Sequence, residues 1–478
     1  MKANQYKIGI IFWIVVANIA MVSCKKINEL PVNNLVVENT ITNEATAKVA
    51  LNGIYSYFGT YGDLDAYTIT DNGLRSNLLE VSTQRSTYEM ELKALQVQES
   101  WVYLKNLWQV LFKIINASNN FIYQLDKLSN EKLSSDKKNK LLGEAYFMRG
   151  YANLYQLKMF CHFWDINSEY GPLLRLEPAG LNNNFKARDN VKEGYSQILQ
   201  DLRFAEANAP NFYSVYKSSN SLAKAYLVET LLLRGEPGDY TEAANLADNV
   251  ITTSGFTLQS TFAGIFSTTY QSTELMFSRA INKTVEEDFI NNVPSIYSLL
   301  GKKRNAPTST YFGFINSSDP RYASIIGTTT SRNAQGVTTT FTNSWLKHWR
   351  IDGNVPMRFM RLTQMYLYKA EALYRSGASV ASVLAPLNTL RSRSGLPVYT
   401  TAMINNPSDL SDIIFSDFIV EVGVDNGSDF FAAVRFKNIL GERKIKDVNP
   451  AYSSDKQLAL PIPDAELIFN PLMKQNPQ

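Results

Sequence analysis

Few side chains in this 478-residue chain are suited to covalent chemistry, since it carries only two histidines and two cysteines. His162 and His348 lie far apart, and neither stands at metal-ligand spacing. The sequence has no Gly-x-Ser-x-Gly elbow, Walker loop or His-Glu-x-x-His pair. Cys161 beside His162 has the makings of a thiol nucleophile and its base, but adjacent residues on a helix do not face each other. A buried thiol is the simpler reading. Carboxylates such as Asp63 and Asp65 could flank a glycosidic bond, yet any chain of this length holds such pairs. Nothing here calls for a metal or a cofactor. The aromatic residues say more: 26 Tyr, 25 Phe and 6 Trp make up 12% of the chain. Tyr57, Tyr61 and Tyr67 lead into Asp71, Asn72 and Arg75, and Tyr311, Phe312, Phe314, Trp345 and Trp349 punctuate a later polar stretch. Ring faces stack on sugars while Asp, Asn and Arg orient hydroxyls in a pocket. The same rings could equally pin long loops to a core.

The start of the chain reads as an address. Lys2 and Lys7 precede an apolar run from Ile8 to Val22, too short for a membrane-spanning helix and right for a secretory segment. Met21-Val22-Ser23-Cys24 has the form of a bacterial lipobox, in which the cysteine is acylated and becomes the new N-terminus. The expected organisation is therefore a signal peptide at 1–23, a lipid-anchored tether at 24–40 and one folded domain at 41–478. No later apolar run reaches about 18 residues. With 47 basic against 44 acidic residues, the chain lacks the positive excess of a nucleic-acid binder. Its 45% hydrophobic content excludes a disordered protein.

Apolar residues recur at three- and four-residue steps through most of the body, predicting helices over Thr42–Tyr57, Leu95–Leu128, Lys137–Phe160, Val191–Asn208, Leu222–Arg234, Tyr240–Thr252, Leu362–Ser376, Ala378–Arg393 and Asp409–Glu421. Small residues at Ala243, Ala247, Ala370 and Gly377 fit closely packed helical hairpins of the tetratricopeptide kind. Between Gly255 and Arg358 the pattern vanishes. Phe262–Ser278, Tyr311–Ile315 and Gly336–Trp345 read as short strands and long loops. The fold class expected is mainly α, with tetratricopeptide-like hairpins carrying an irregular face with a few strands.

Motifs in the second half sharpen this. Arg361-Leu362-x-x-Met365-Tyr366-Leu367-x-x-Ala370-Glu371-Ala372, the run Leu387-Asn388-x-x-Arg391-x-Arg393-x-Gly395-Leu396-Pro397, and the ending Leu460-Pro461-Ile462-Pro463 … Asn470-Pro471 … Gln475-Asn476-Pro477 resemble the SusD/RagB family of outer-membrane nutrient-binding lipoproteins. Glu144-Ala145-x-Phe147-x-Arg149-Gly150-Tyr151 and Asp319-Pro320-Arg321 match shorter motifs of that family. One segment departs: Asp429 stands where the family has an arginine, and Ala432 where it has an aspartate. The resemblance implies a surface lipoprotein that binds glycans and hands them to a TonB-dependent barrel of the SusC type, making and breaking no bond. It also implies ligand loops holding Asp71, Asn72, Arg75, Tyr88, Tyr311, Phe312 and Trp345. A tetratricopeptide-type protein adaptor and a surface glycoside hydrolase are the alternatives.

Overall fold

The computed structural model describes residues 40–58, 64, 67–81, 86–180, 182–279, 305–332, 335–348 and 356–477. Cys24, the signal segment, nearly all of the tether, Tyr61 and Trp349 lie outside them. Among the described residues, eleven helices are eight residues or longer: α1 (Glu44–Ser56), α2 (Ser86–Lys93), α3 (Val102–Lys127), α4 (Ser135–Phe160), α5 (Val191–Asn208), α6 (Asn220–Arg234), α7 (Asp239–Thr253), α8 (Leu362–Arg375), α9 (Val380–Arg393), α10 (Pro407–Val422) and α11 (Ser428–Arg435). Their starts follow from local chemistry. Asn43 accepts from the Thr46 amide while Thr46 Oγ1 accepts from the Asn43 amide; Asn190 and Glu193 do the same for α5, and Asn406 and Asp409 for α10.

Each helix from α3 to α7 packs on the next, and α7 then packs on α8 across the inserted segment 254–361. The expected hairpin scaffold is present. At its centre lies α4, in which every residue from Leu141 to Phe160 except Tyr146 is buried. A helix apolar on one face only could not sit there, and α4 is instead enclosed on all sides. Its charged residues are therefore paired. Arg149 forks onto Asp201 of α5 at 2.8 and 2.7 Å and reaches Asn119 of α3 at 3.0 Å. Lys158 pairs with Glu229 of α6, and the Glu144 carboxylate accepts from the Tyr55 hydroxyl at 2.7 Å. Removing one member of such a pair typically costs about 3–5 kcal/mol, because the other charge stays buried. Gly143 answers a packing demand: a Cβ there would lie 2.4 Å from the Ala209 amide nitrogen.

The insertion is mostly loop. Strand β1 (Leu275–Phe277) pairs antiparallel with β4 (Met360–Arg361), and β2 (Ile326–Arg332) with β3 (Thr338–Trp345) in register Ile326↔Trp345 to Arg332↔Thr338. Two expectations need correction. Tyr311–Ile315 is no strand; Ser309–Phe312 forms a helical turn capped by the Thr308 hydroxyl. The helix expected from Leu95 starts at Val102, because Leu95 takes a left-handed φ of 56° that a continuing helix forbids.

The arginines of the family-like motifs at 319–321, 361–372 and 387–397 belong to one buried ion network. Arg361 bonds Asp425 at 2.8 Å; Arg393 bridges Glu274 at 2.8 Å and Glu421 at 2.7 Å; Arg321 meets Asp319, Glu421 and Asp417. Burial alone would raise the Asp425 carboxyl, yet Lys347, Arg358 and Arg361 together hold it well below the usual carboxylate range. The divergent Asp429 is also satisfied, accepting from the Ser76 hydroxyl at 2.7 Å. Gly427, which opens α11 at φ 75°, is obligatory, since a Cβ would fall 1.8 Å from the Thr68 carbonyl oxygen.

Candidate functional site

A cleft of about 770 Å³ opens between the loop that joins α2 to α3 and a C-terminal loop, with Gln96, Gln98, Glu99 and Ser100 on one wall and Ser453, Ser454, Lys456 and Gln457 on the other. That is within the size range of ligand sites. Both walls are held by hydrogen bonds. The Glu91 carboxylate accepts from the Gln98 amide at 3.0 Å and from Trp101 Nε1 at 2.6 Å, fixing the first loop near its tip and at its end. Gln457 Oε1 accepts from the Ser453 and Ser454 amides at 2.7 and 3.1 Å. The second loop is fastened to the scaffold by Leu460, whose amide donates to the Met159 carbonyl at 2.8 Å, and by Asn476, whose Nδ2 donates to the carbonyls of Phe160 and Leu460. The C-terminal motif thus builds this wall.

With the walls fixed, Gln96, Gln98, Glu99 and Ser100 remain exposed. Next to Ser100 stands an aromatic step, in which Trp101 and Tyr103 are half-buried, 6.3 Å apart and nearly parallel, backed by Tyr88 at 5.6 and 4.8 Å. Amides, hydroxyls, one carboxylate and one ammonium beside a ring face can hold a polyhydroxylated molecule reversibly. Glu99 is the one carboxylate among the described residues that line the cleft, so a pair flanking a glycosidic bond is not formed there. Among the described residues, no three His, Cys, Asp or Glu side chains stand close enough to share a metal. Cys161 is buried, its thiol pushed up to about 11 by burial; a reactive thiol would be shifted the other way.

Four of the residues expected to bind ligand gather directly under this cleft, facing inward. Tyr88 donates its hydroxyl to Asp71 at 2.7 Å. Arg75 donates to Asn72 Oδ1 at 3.0 Å and to the Leu458 carbonyl at 2.6 Å, and lies 3.8 Å over the Phe430 ring. All four are buried, and burial pulls the Arg75 guanidinium down to about 9. They brace the floor and the far wall, and Arg75 alone reaches the cleft lining. Tyr311 and Trp345 meet each other instead, 4.6 Å apart and fully buried, with Trp345 Nε1 bonded to the Asn305 carbonyl at 3.0 Å. Phe312 is half-buried against Tyr311. Asp71, Asn72, Tyr88, Tyr311 and Trp345 thus have their surfaces occupied by protein, while Arg75 touches the cleft and Phe312 keeps part of its ring open to solvent. The exposed residues Gln96, Gln98 and Glu99, and the step at Trp101, were missed because the helical period runs straight through them. The positive φ of Leu95 has no signature in residue type.

The arrangement is a helical-hairpin scaffold that carries a polar cleft. Residues 39–231 match a family model described as SusD-like, starch-binding and associating with the outer membrane, and residues 327–478 match that of the SusD family. The chain belongs to the SusD/RagB family. A SusD-like protein P2 from Formosa agariphila is 22% identical, with 99% of each chain covered. A SusD superfamily protein from Bacteroides thetaiotaomicron shares the fold with a TM-score of 0.75 and 20% identity, over 91% of this chain and all of that one. A laminarin-binding SusD-like protein does so with a TM-score of 0.71 and 18% identity, over the same shares. Family members are outer-membrane-associated carbohydrate binders. No helix among the described residues is long and apolar enough to cross a membrane.

Proposed function

We propose that this protein is a surface lipoprotein, anchored through Cys24 and facing the cell exterior, that captures oligosaccharides or polysaccharides in the Gln96–Ser100 cleft and passes them to a TonB-dependent outer-membrane transporter. The observation that carries the reading is the cleft itself, whose exposed amides and hydroxyls stand beside the Trp101–Tyr103 step on loops that hydrogen bonds have already fixed. Preformed walls spare a ligand the cost of ordering them. Capture is by hydrogen bonding and ring stacking. The transporter, the outward orientation and the anchor rest on family membership and on the lipobox-like Cys24. With Glu99 against Lys456 and Arg75, the described cleft lining carries a net charge of only +1, which gives little pull on a polyanionic chain and suits neutral sugars.

The test is retention of the mature lipoprotein in gels cast with individual polysaccharides, followed by calorimetry with the best binder. Replacing Gln98 and Trp101 together by alanine is expected to weaken that affinity at least about tenfold, as loss of a stacking ring and an amide contact would. Unchanged affinity would remove the cleft from the account.

A further inference from the structure

A second cavity, of about 590 Å³, lies where α6 begins and α7 ends, and shares no lining residue with the first. Three rings, Phe212, Phe256 and Tyr270, line its wall, and Tyr216 stands 5.5 Å from Tyr270. Phe212 is 39% exposed, yet it is held edge-on against the buried Phe256 at 4.6 Å, so its free face is fixed in orientation. Around the rings are side-chain amides from Asn211, Asn220 and Gln271, the Lys224 ammonium, and the hydroxyls of Ser221, Ser254, Ser272 and Thr273. Asn220 donates to Asn211 Oδ1 at 2.9 Å, which leaves the Asn211 amide hydrogens directed elsewhere. Among the described residues that line the cavity there is no carboxylate. Oriented rings beside amide donors and hydroxyls are what a neutral sugar requires.

Helix α4 sets the spacing between the two cavities. Gly143, near its start, abuts Ala209, two residues before the Asn211 wall, and Met159, near its end, bonds Leu460 of the first cavity's wall. From Gly143 to Met159 the helix rises about 24 Å at ~1.5 Å per residue. We propose that the cavity of Phe212, Tyr270, Asn211 and Gln271 is a second glycan-binding site, which holds another segment of a polymer whose first segment lies in the Gln96–Ser100 cleft. This rests on the capture reading above and adds to it a preference for long chains, because a ligand held at one site is presented to the other at high effective concentration.

Calorimetry on the mature lipoprotein, with the best-retained polysaccharide and with a trisaccharide cut from it, tests the proposal. The wild type is expected to take about two trisaccharides per chain and to prefer the polymer at least about tenfold. Phe212→Ala with Tyr270→Ala, and separately the exposed pair Asn211→Ala with Gln271→Ala, are expected to lower the count to about one and abolish most of the polymer preference. An unchanged unfolding temperature in the second pair would show that the fold is intact. A wild-type count of one, or unaltered polymer affinity in both pairs, overturns the second site while leaving the cleft standing, and hands this face to a protein partner. Failure of the wild type to retain any glycan overturns both.

Discussion

At the scale of single residues, the functional contrast is between side chains that touch solvent in the cleft and those that hold the touching ones still. Asp71, Asn72 and Arg75 were expected after the first helix and Tyr88 in the loop that follows; the structure gathers the four as buried side chains under the Gln96–Ser100 cleft, with Tyr88 on helix α2 and not in a loop. Sequence spacing could bring them together but could not say that Leu458 and Phe430, more than 350 positions away, would close over Arg75. Glu91 is the complementary case, an unremarkable helix-end carboxylate that proves to clamp the loop at Gln98 and Trp101. Glu91→Ala is expected to raise Kd for the captured glycan about five- to tenfold through loss of those two bonds, worth about 1–1.5 kcal/mol, with a shift in unfolding temperature of only a degree or two. Equal losses in affinity and in thermal stability would show a merely structural role. Calorimetry and a thermal scan on the same preparation separate the two.

Among the elements, helices were readable and the insertion was not. The periods over α3, α5 and α8 mark their buried faces because each packs on its neighbours in the chain, so local pattern and tertiary demand agree. Between 254 and 361, by contrast, β1 finds its partner in β4 across most of the insertion, and such non-local pairing leaves no periodic trace. The arginines of the recognised motifs belong to this level. They fasten the ends of α9 and α10 to β4 and to the residue before β1: Arg393 and Arg321 share Glu421, and Arg361 takes Asp425 together with Lys347 and Arg358. Because the folded Asp425 carboxyl, like that of Glu371, sits below its ordinary value, the stability each contributes is fully present above the unfolded pKa, near 4, and is lost progressively as pH falls from there toward the lower folded value. Asp425→Asn is therefore expected to destabilise the protein by about 3–5 kcal/mol at pH 7. That deficit should narrow as pH drops below about 4, which scanning calorimetry between pH 3 and 7 would show. A deficit independent of pH would mean that packing, and not charge, explains Asp425. Asp417 acts in the opposite sense: burial pushes its carboxyl up to about 6, so stability falls as pH rises from about 4 to 6.

For the whole molecule, the helical scaffold supplies rigidity. Central helix α4 carries Arg149, Lys158 and Glu144, which lock it to α5, α6 and the Tyr55 region of α1, so the two cavities near its ends keep a fixed separation. The class of protein was legible from the lipobox-like start, the helical periods and the closing Asn-Pro motif. The ligand was not, because the exposed amides of the cleft are ordinary loop residues until the fold assembles them. The central claim is reversible glycan capture in the Gln96–Ser100 cleft. Affinity electrophoresis of the mature lipoprotein against a polysaccharide panel, with reducing ends measured in the same samples, tests it most directly. The account predicts retention by at least one neutral glycan, no new reducing ends, and loss of retention in the Gln98→Ala, Trp101→Ala pair. Retention undiminished in that pair, or reducing ends that grow with time, would contradict it.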